Sequence, residues 1–440
     1  MSSFFAKGKP ATTPSASSVA QTEEEQQTAE TTAAMMPQNM IDVNMLQAEP
    51  AVERLIEHAV DRRSSDIFFV SNEHHVAVLI RQLGIVKPIS ILSPDIGRRC
   101  MQHMKAVASM DLTEKRRPSD GRWIYRPDDK RIVDLRINVV PTIYGEDFAI
   151  RILARDTTPF NLDRLGMSAK QETTFRNMIE SPSGLILITG PTGSGKTTTL
   201  YGSLIHLNDG TRKIHTIEDP VEYAIAGLRQ SQVNGAIDLG FAELLRGILR
   251  QSPDVIMLGE IRDAETAQTA VHAANSGILV LATIHAAAAP GAVQSMRALG
   301  VHPHFLATSL RGAISQRLVR TFCPHCKTGF DLGEDTGTFD DIRKFLAPGE
   351  GKTLYAAKGC DKCNMEGYTG RTGVFELMPV TKDIRNLISD NAPARTIRTK
   401  AIDEGMIEFR QGALIEVAQG KTSTEEVFRV IPAEHLLMED

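Results

Sequence analysis

Residues 184–198 read GLILITGPTGSGKTT, an unbroken apolar run that ends in a glycine-rich loop and continues into the helix-like stretch TTTLYGSLIHL. A run this short and this apolar, with no polar alternation, suits a strand buried on both faces, the kind found inside a parallel sheet whose crossovers are helices. Within it, Gly190, Gly195, Lys196 and Thr197 meet the pattern GxxxxGK[ST], with a strand before and a helix after, as that pattern requires. Glycines let backbone N–H groups turn inward around phosphates. Lys196 adds a mobile positive charge at the β and γ positions, and the Thr197 hydroxyl can hold Mg²⁺. Thr192, Gly193 and Ser194 complete the loop and Thr198 follows it. The expected ligand is ATP with Mg²⁺.

Such a loop binds; hydrolysis needs an acid near the metal and a polar group that orients water. Two later stretches supply acids. DVIMLGEIRD is an apolar strand that ends at Glu260, and KIHTIEDPVEY ends in Glu218 and Asp219. In parallel sheets ligands gather at the carboxyl ends of strands, where both acids would sit. Charges after a strand often do no more than solvate a loop, and the residues alone leave that alternative open.

A chain of 440 residues exceeds what one core usually organises. Residues 1–48 are rich in Ala, Thr, Ser, Gln and Glu and are expected to form a disordered arm. Residues 49–155 read as an α+β domain, 156–169 as a linker, and 170–440 as an α/β domain. The last contains a loop-rich insertion at about 320–375 and a helical end. The net charge of −5 gives no reason to expect direct nucleic-acid contact. No run approaches the roughly 20 apolar residues that span a bilayer, so a cytoplasmic protein with peripheral membrane association is expected.

Five cysteines are present. Cys100 stands alone, whereas Cys323 and Cys326, and Cys360 and Cys363, form two CxxC pairs. Four thiolates satisfy tetrahedral Zn²⁺ and leave no position for water, so the expected site is structural. A redox pair or unmetallated core cysteines are the alternatives.

Together GPTGSGKTTTL, TIEDPVEY, VIMLGEIRDAETAQTAVHAANSGILVLATIHA, SQRLVRTFCPHCK, GRTGVFELMPV and EGMIEFRQGALIEVAQGKTSTEEVFRV resemble the secretion ATPase superfamily, specifically the type II secretion and type IV pilus assembly ATPases, over about residues 50–432. The resemblance implies a RecA-like P-loop ATPase domain preceded by a smaller α+β N-terminal domain, with a zinc-binding insertion, assembled as a homohexamer. It places Glu218 as the residue that polarises water, Glu260 beside Mg²⁺ and His285 in the histidine box. It also implies that Arg136 and Arg151 of the first domain reach the nucleotide phosphates, with Arg122 in a further motif. The implied function is a motor that drives assembly of a type IV pilus or type II pseudopilus through an inner-membrane platform protein. The four cysteines favour extension over retraction, and a DNA-uptake or conjugation-related translocation ATPase is the alternative. Two departures stand out. Relatives usually continue the histidine box with Thr-Asn, where this chain has HAAAAPGA. They also often carry an extra N-terminal docking domain, so docking here is expected to use another surface or a shorter adaptor.

Overall fold

The computed structural model describes residues 40–128, 131–154, 160–333 and 337–433. Contacts divide the chain into two compact units after residue 155.

The first unit is an antiparallel sheet of β1 (Asp66–Ser71), β2 (Val76–Gln82), β3 (Ile85–Leu92), β4 (Ser119–Tyr125), β5 (Val133–Thr142) and β6 (Gly145–Ala154). Their spatial order is β3-β2-β1-β6-β5-β4. Alternate residues such as Val76, Val78 and Ile80 are buried, and two helices, Ala48–Asp61 and Pro94–Val107, bring Leu55, Ile56 and Met104 to the same core. Leu83 and Gly84 turn the β2–β3 hairpin with φ of 49° and 85°, the left-handed pair that a two-residue turn between twisted strands demands. Of the expected arm, residues 1–39 lie outside the described residues. Residues 41–47 belong to this unit instead: Val43 is 1% exposed, and Ile41 N–H bonds to Ile89 O at 2.8 Å.

The second unit is a seven-stranded sheet. It contains β7 (Gly184–Thr189), β8 (Ile214–Glu218), β9 (Arg229–Gln232), β10 (Val255–Leu258), β11 (Leu279–Thr283), β12 (Leu310–Phe322) and β15 (Tyr368–Pro379). The order is β15-β12-β7-β11-β10-β8-β9, parallel except for the antiparallel β12–β15 pair. Every residue of β7, β8, β10 and β11 is buried. Leu185 and Leu187 enter one hydrophobic cluster while Ile186 and Ile188 enter another, so helices cover both faces, as the apolar run requires. β13 (Lys327–Asp331) and β14 (Thr353–Ala357) form a separate antiparallel pair beside the cysteines, and four helices between Lys382 and Val430 close the chain.

Residues 160–169, read as linker, carry packing residues of this unit. Leu162 and Leu165 are buried, and the Phe160 ring lies edge-on to Tyr201 at 5.4 Å. Residues 156–159 lie outside the described residues.

Candidate active site

The parallel order sets the carboxyl ends of β7, β11, β10 and β8 side by side, and the candidate groups sit in the loops that leave them. After β7 the chain turns through Gly190, Gly193 and Gly195, with φ of 140°, 76° and 92°. At Gly190 no other residue fits, because a Cβ would lie 2.4 Å from the backbone oxygen of Gln316. Ser194 is buried while Thr192 and Gly193 are exposed. The loop opens into the helix Lys196–Leu207, whose N-cap Gly195 offers no side chain, so its first N–H groups face the loop.

The Lys196 ammonium donates to the carbonyls of Gly190 (2.8 Å) and Pro191 (3.1 Å), inside the curl of its own loop. Burial lowers its pKa, and the charge of Glu260 pulls the other way. Thr197, on the first turn, faces a cleft of about 100 Å³ together with Glu218, Asp219, Glu260 and Arg262. Thr198 follows on the same turn, half-buried.

Glu218 ends β8 and is 4% exposed. Its Oε1 accepts from Thr216 Oγ1 (2.6 Å) and Gln230 Nε2 (3.1 Å), and its Oε2 accepts from the Tyr201 hydroxyl. A buried carboxylate needs such donors to exist at all. Burial and the neighbouring Glu218 charge push the Tyr201 phenol well above its ordinary pKa, so it remains a donor at neutral pH.

Glu260 follows β10 by two residues. Its Oε2 accepts from Arg262 at 2.7 Å, and its Oε1 lies 2.5 Å from His285 Nε2. Burial raises the Glu260 pKa, but the bond and charge of Arg262, then His285, outweigh it and hold the carboxyl below the usual range. Arg262 also approaches Asp219 at 3.7 Å. His285, after β11, is 72% exposed on its side chain.

One unit therefore gathers the phosphate loop, Glu218, Glu260 and His285. Arg136 and Arg151 lie in the other unit, as direct cross-strand neighbours on β5 and β6. The row extends to Arg122 opposite Arg136 and to Asp66 opposite Arg151, whose Nε is 3.7 Å from Asp66 Oδ1. Arg122 is held by Asp134 through two bonds of 2.9 and 2.6 Å.

Sequence reasoning missed Tyr201, Thr216, Gln230, Arg262 and Gln316. Gln316 on β12 accepts from Thr199 Oγ1 and donates to Ser194 O, both at 2.9 Å, and so braces the phosphate loop from below.

The four paired cysteines converge, with all sulfurs within 4.8 Å of one another. Cys323–Cys360 and Cys326–Cys363 are separated by 3.9 and 3.8 Å, close to the roughly 3.8 Å edge of a tetrahedron built on Zn–S bonds of about 2.3 Å. Cys363 Sγ also accepts N–H from Cys360 (3.2 Å) and Gly367 (3.1 Å). Burial opposes its ionisation, but these donors and the neighbouring thiols bring its pKa down to about 7. The donor set fits a soft tetrahedral cation.

A family model described as "Type II/IV secretion system protein" matches residues 44–429. The chain is 41% identical over 379 residues to the "Type II secretion system ATPase E" of Vibrio cholerae, covering 86% of this chain and 74% of that protein. It is 39% identical over 383 residues to "Type II secretion system protein E" of Dickeya dadantii, covering 87% and 75%. Among solved structures it resembles the Legionella pneumophila ATPase DotB, with TM-score 0.64, 21% identity and coverage of 89% and 96%. It also resembles the pilus retraction motor PilT with bound ADP, with TM-score 0.58, 24% identity and coverage of 87% and 96%. These two structures share its fold.

Proposed function

The chain belongs to the Type II/IV secretion system protein family, and from that premise we propose that it is the ATP-hydrolysing motor of a type IV pilus or a type II secretion pseudopilus. The observation that carries this reading is the cleft shared by Thr197, Glu218 and Glu260. It gathers a hydroxyl, a buried carboxylate and a second carboxylate around one space beside the glycine-rich loop.

In this reading Gly190, Thr192, Gly193, Ser194, Gly195 and Thr198 shape the loop and its helix end around the triphosphate, and Lys196 leaves its carbonyl partners for the β and γ oxygens. Mg²⁺ held by Thr197 and Glu260 would supply charge neutralisation on those oxygens. Glu218, fixed by Tyr201, Thr216 and Gln230, orients water and accepts its proton. His285 holds Glu260. Arg136 and Arg151 supply positive charge from the first unit, a contribution worth about 10³ to 10⁵ in rate where arginines act this way. Cys323, Cys326, Cys360 and Cys363 bind Zn²⁺ as a structural clamp.

The working form is a homohexamer on the cytoplasmic side of the inner membrane, peripherally bound to a platform protein. No helix among the described residues is long and apolar enough to cross a membrane. A pull-down from membranes with the E218Q protein, locked with nucleotide, tests this: a polytopic platform protein should co-purify. ATPase stimulation by added DNA, with no membrane partner recovered, would point to a translocase instead.

A further inference from the structure

The loop that carries His285 has a problem its own residues do not solve. Residues 286–289 are all alanine, and the helix Ala289–Ala298 begins after Ala288 with no side-chain cap. The first N–H groups of a helix need acceptors, which Ser, Thr, Asp or Asn at the cap normally provides. Here the acceptor comes from far along the chain. Glu376 on β15 is 2% exposed, and its Oε2 accepts the Ala289 N–H at 3.2 Å. Its Oε1 accepts the Phe409 N–H at 3.1 Å.

Phe409 opens the helix Phe409–Ala418, which also lacks a side-chain cap; its N-cap residue Glu408 is bound to Arg398 at 2.7 Å. One buried carboxylate therefore closes two helix N-termini, and both helix dipoles favour negative charge there. Burial pushes the Glu376 pKa up, and the two backbone donors and Arg398 work against that rise.

The rest of the loop is pinned by β7, by its own helix and by β12. Thr189 Oγ1 accepts from Ala286 N (2.7 Å) and donates to Ala286 O (2.6 Å). Ser295 donates to His285 O at 2.7 Å. Ser315 donates to Ala287 O at 3.4 Å and is the register partner of Glu376 across β12 and β15. The alanine loop is thus held at one end by the residue before Gly190 and at the other by Glu376.

We propose that Glu376 is a positioning residue for the His285 loop: it replaces the polar cap the loop lacks and ties the loop to the C-terminal helices, keeping His285 at Glu260. This rests on the reading that His285 takes part in hydrolysis. Glu376 touches neither nucleotide nor metal in this scheme and acts only through the loop.

E376Q tests it, because an amide can accept at one helix end but presents an NH₂ to the other. Hydrogen exchange in the full-length protein should speed up at residues 286–291 and 409–412. The turnover number should fall about tenfold with KM for ATP within about twofold, and E376Q added to H285A should change turnover by less than about twofold. E416Q, at another buried carboxylate of the same lobe, should leave exchange at 286–291 unchanged and shows that general loosening is not the cause. Unchanged exchange at 286–291 in folded E376Q, or losses that multiply in the double variant, would overturn the proposal. Wild-type turnover in H285A would sink the hydrolytic reading of His285, and the exchange result would then decide the tether alone.

Discussion

The Tyr201 hydroxyl donates to Oε2 of Glu218, which joins the helix after the phosphate loop to the acid at the end of a neighbouring strand. The bond holds the carboxylate from the helix that follows the glycine-rich loop. In Y201F a buried carboxylate loses a donor, a loss worth about 1.5 to 3 kcal/mol where charged groups are involved. Denaturant titration should show a deficit of that size. Phosphate release should slow by at least about tenfold, since the base is no longer held. Wild-type turnover in Y201F would mean that Thr216 and Gln230 suffice.

Lys196 and Glu260 should separate binding from metal use. K196A removes a charge-assisted contact to phosphate and should weaken nucleotide affinity by about 10- to 150-fold, from roughly 1.5 to 3 kcal/mol. E260Q should keep more of the affinity but raise the Mg²⁺ concentration needed for half-maximal turnover. Fluorescent-nucleotide titration with and without Mg²⁺ reads both, and equal Mg²⁺ dependence in E260Q and wild type would remove Glu260 from the metal.

The purified chain should contain one zinc per four-cysteine cluster by elemental analysis. C363S should lose the metal and expose the segment around β13 and β14 to protease, since structural zinc can supply on the order of 10 kcal/mol to a small lobe. A metal-free preparation with that segment fully protected would contradict the assignment.

Glu426 gives a pH signature. It is buried, accepts from Arg320 N (3.0 Å), Arg320 Nε (2.9 Å) and Arg429 Nε (2.8 Å), and lies in the helix Thr424–Val430. Burial raises its pKa, but Arg429 and Arg320 outweigh this and hold it below the ordinary range. A depressed acid stabilises the folded state above its unfolded pKa of about 4.3, and that stability is lost as the pH falls from there through the folded value. Stability measured against pH should therefore drop on acidification below about 4.3. E426A should flatten that part of the curve and cost about 1.5 to 3 kcal/mol at neutral pH, because the charge-assisted bonds are lost while water still reaches Arg429, 39% exposed, and Arg320, 13% exposed. An unchanged acid limb would show that other carboxylates govern it.

The phosphate loop was legible because strand, glycines, Lys196 and helix are contiguous and each constrains its neighbour. Glu218 and Glu260 were legible because a parallel sheet directs its strand ends to one edge. Gln316 was not, because its contact with Thr199 spans 117 positions and depends on β12 lying next to β7, which no local pattern states. Tyr201 was not either, because the helical pattern around it says nothing of Glu218, which β8 brings to its hydroxyl. The packing of residues 41–47 and 160–169 has a related cause. A few residues, Val43 in one and Leu162 and Leu165 in the other, are enough to dock a polar stretch onto a core that lies elsewhere in sequence.

ATP hydrolysis at the cleft of Thr197, Glu218 and Glu260, with Glu218 as the base, is the proposal on which the other roles depend. Phosphate release and nucleotide binding measured on the same samples of wild type and E218Q test it most directly. Wild type should release phosphate in a Mg²⁺-dependent way, and E218Q should release it at least about 100-fold more slowly while its affinity for ATP stays within about threefold. Release by E218Q at the wild-type rate would contradict it.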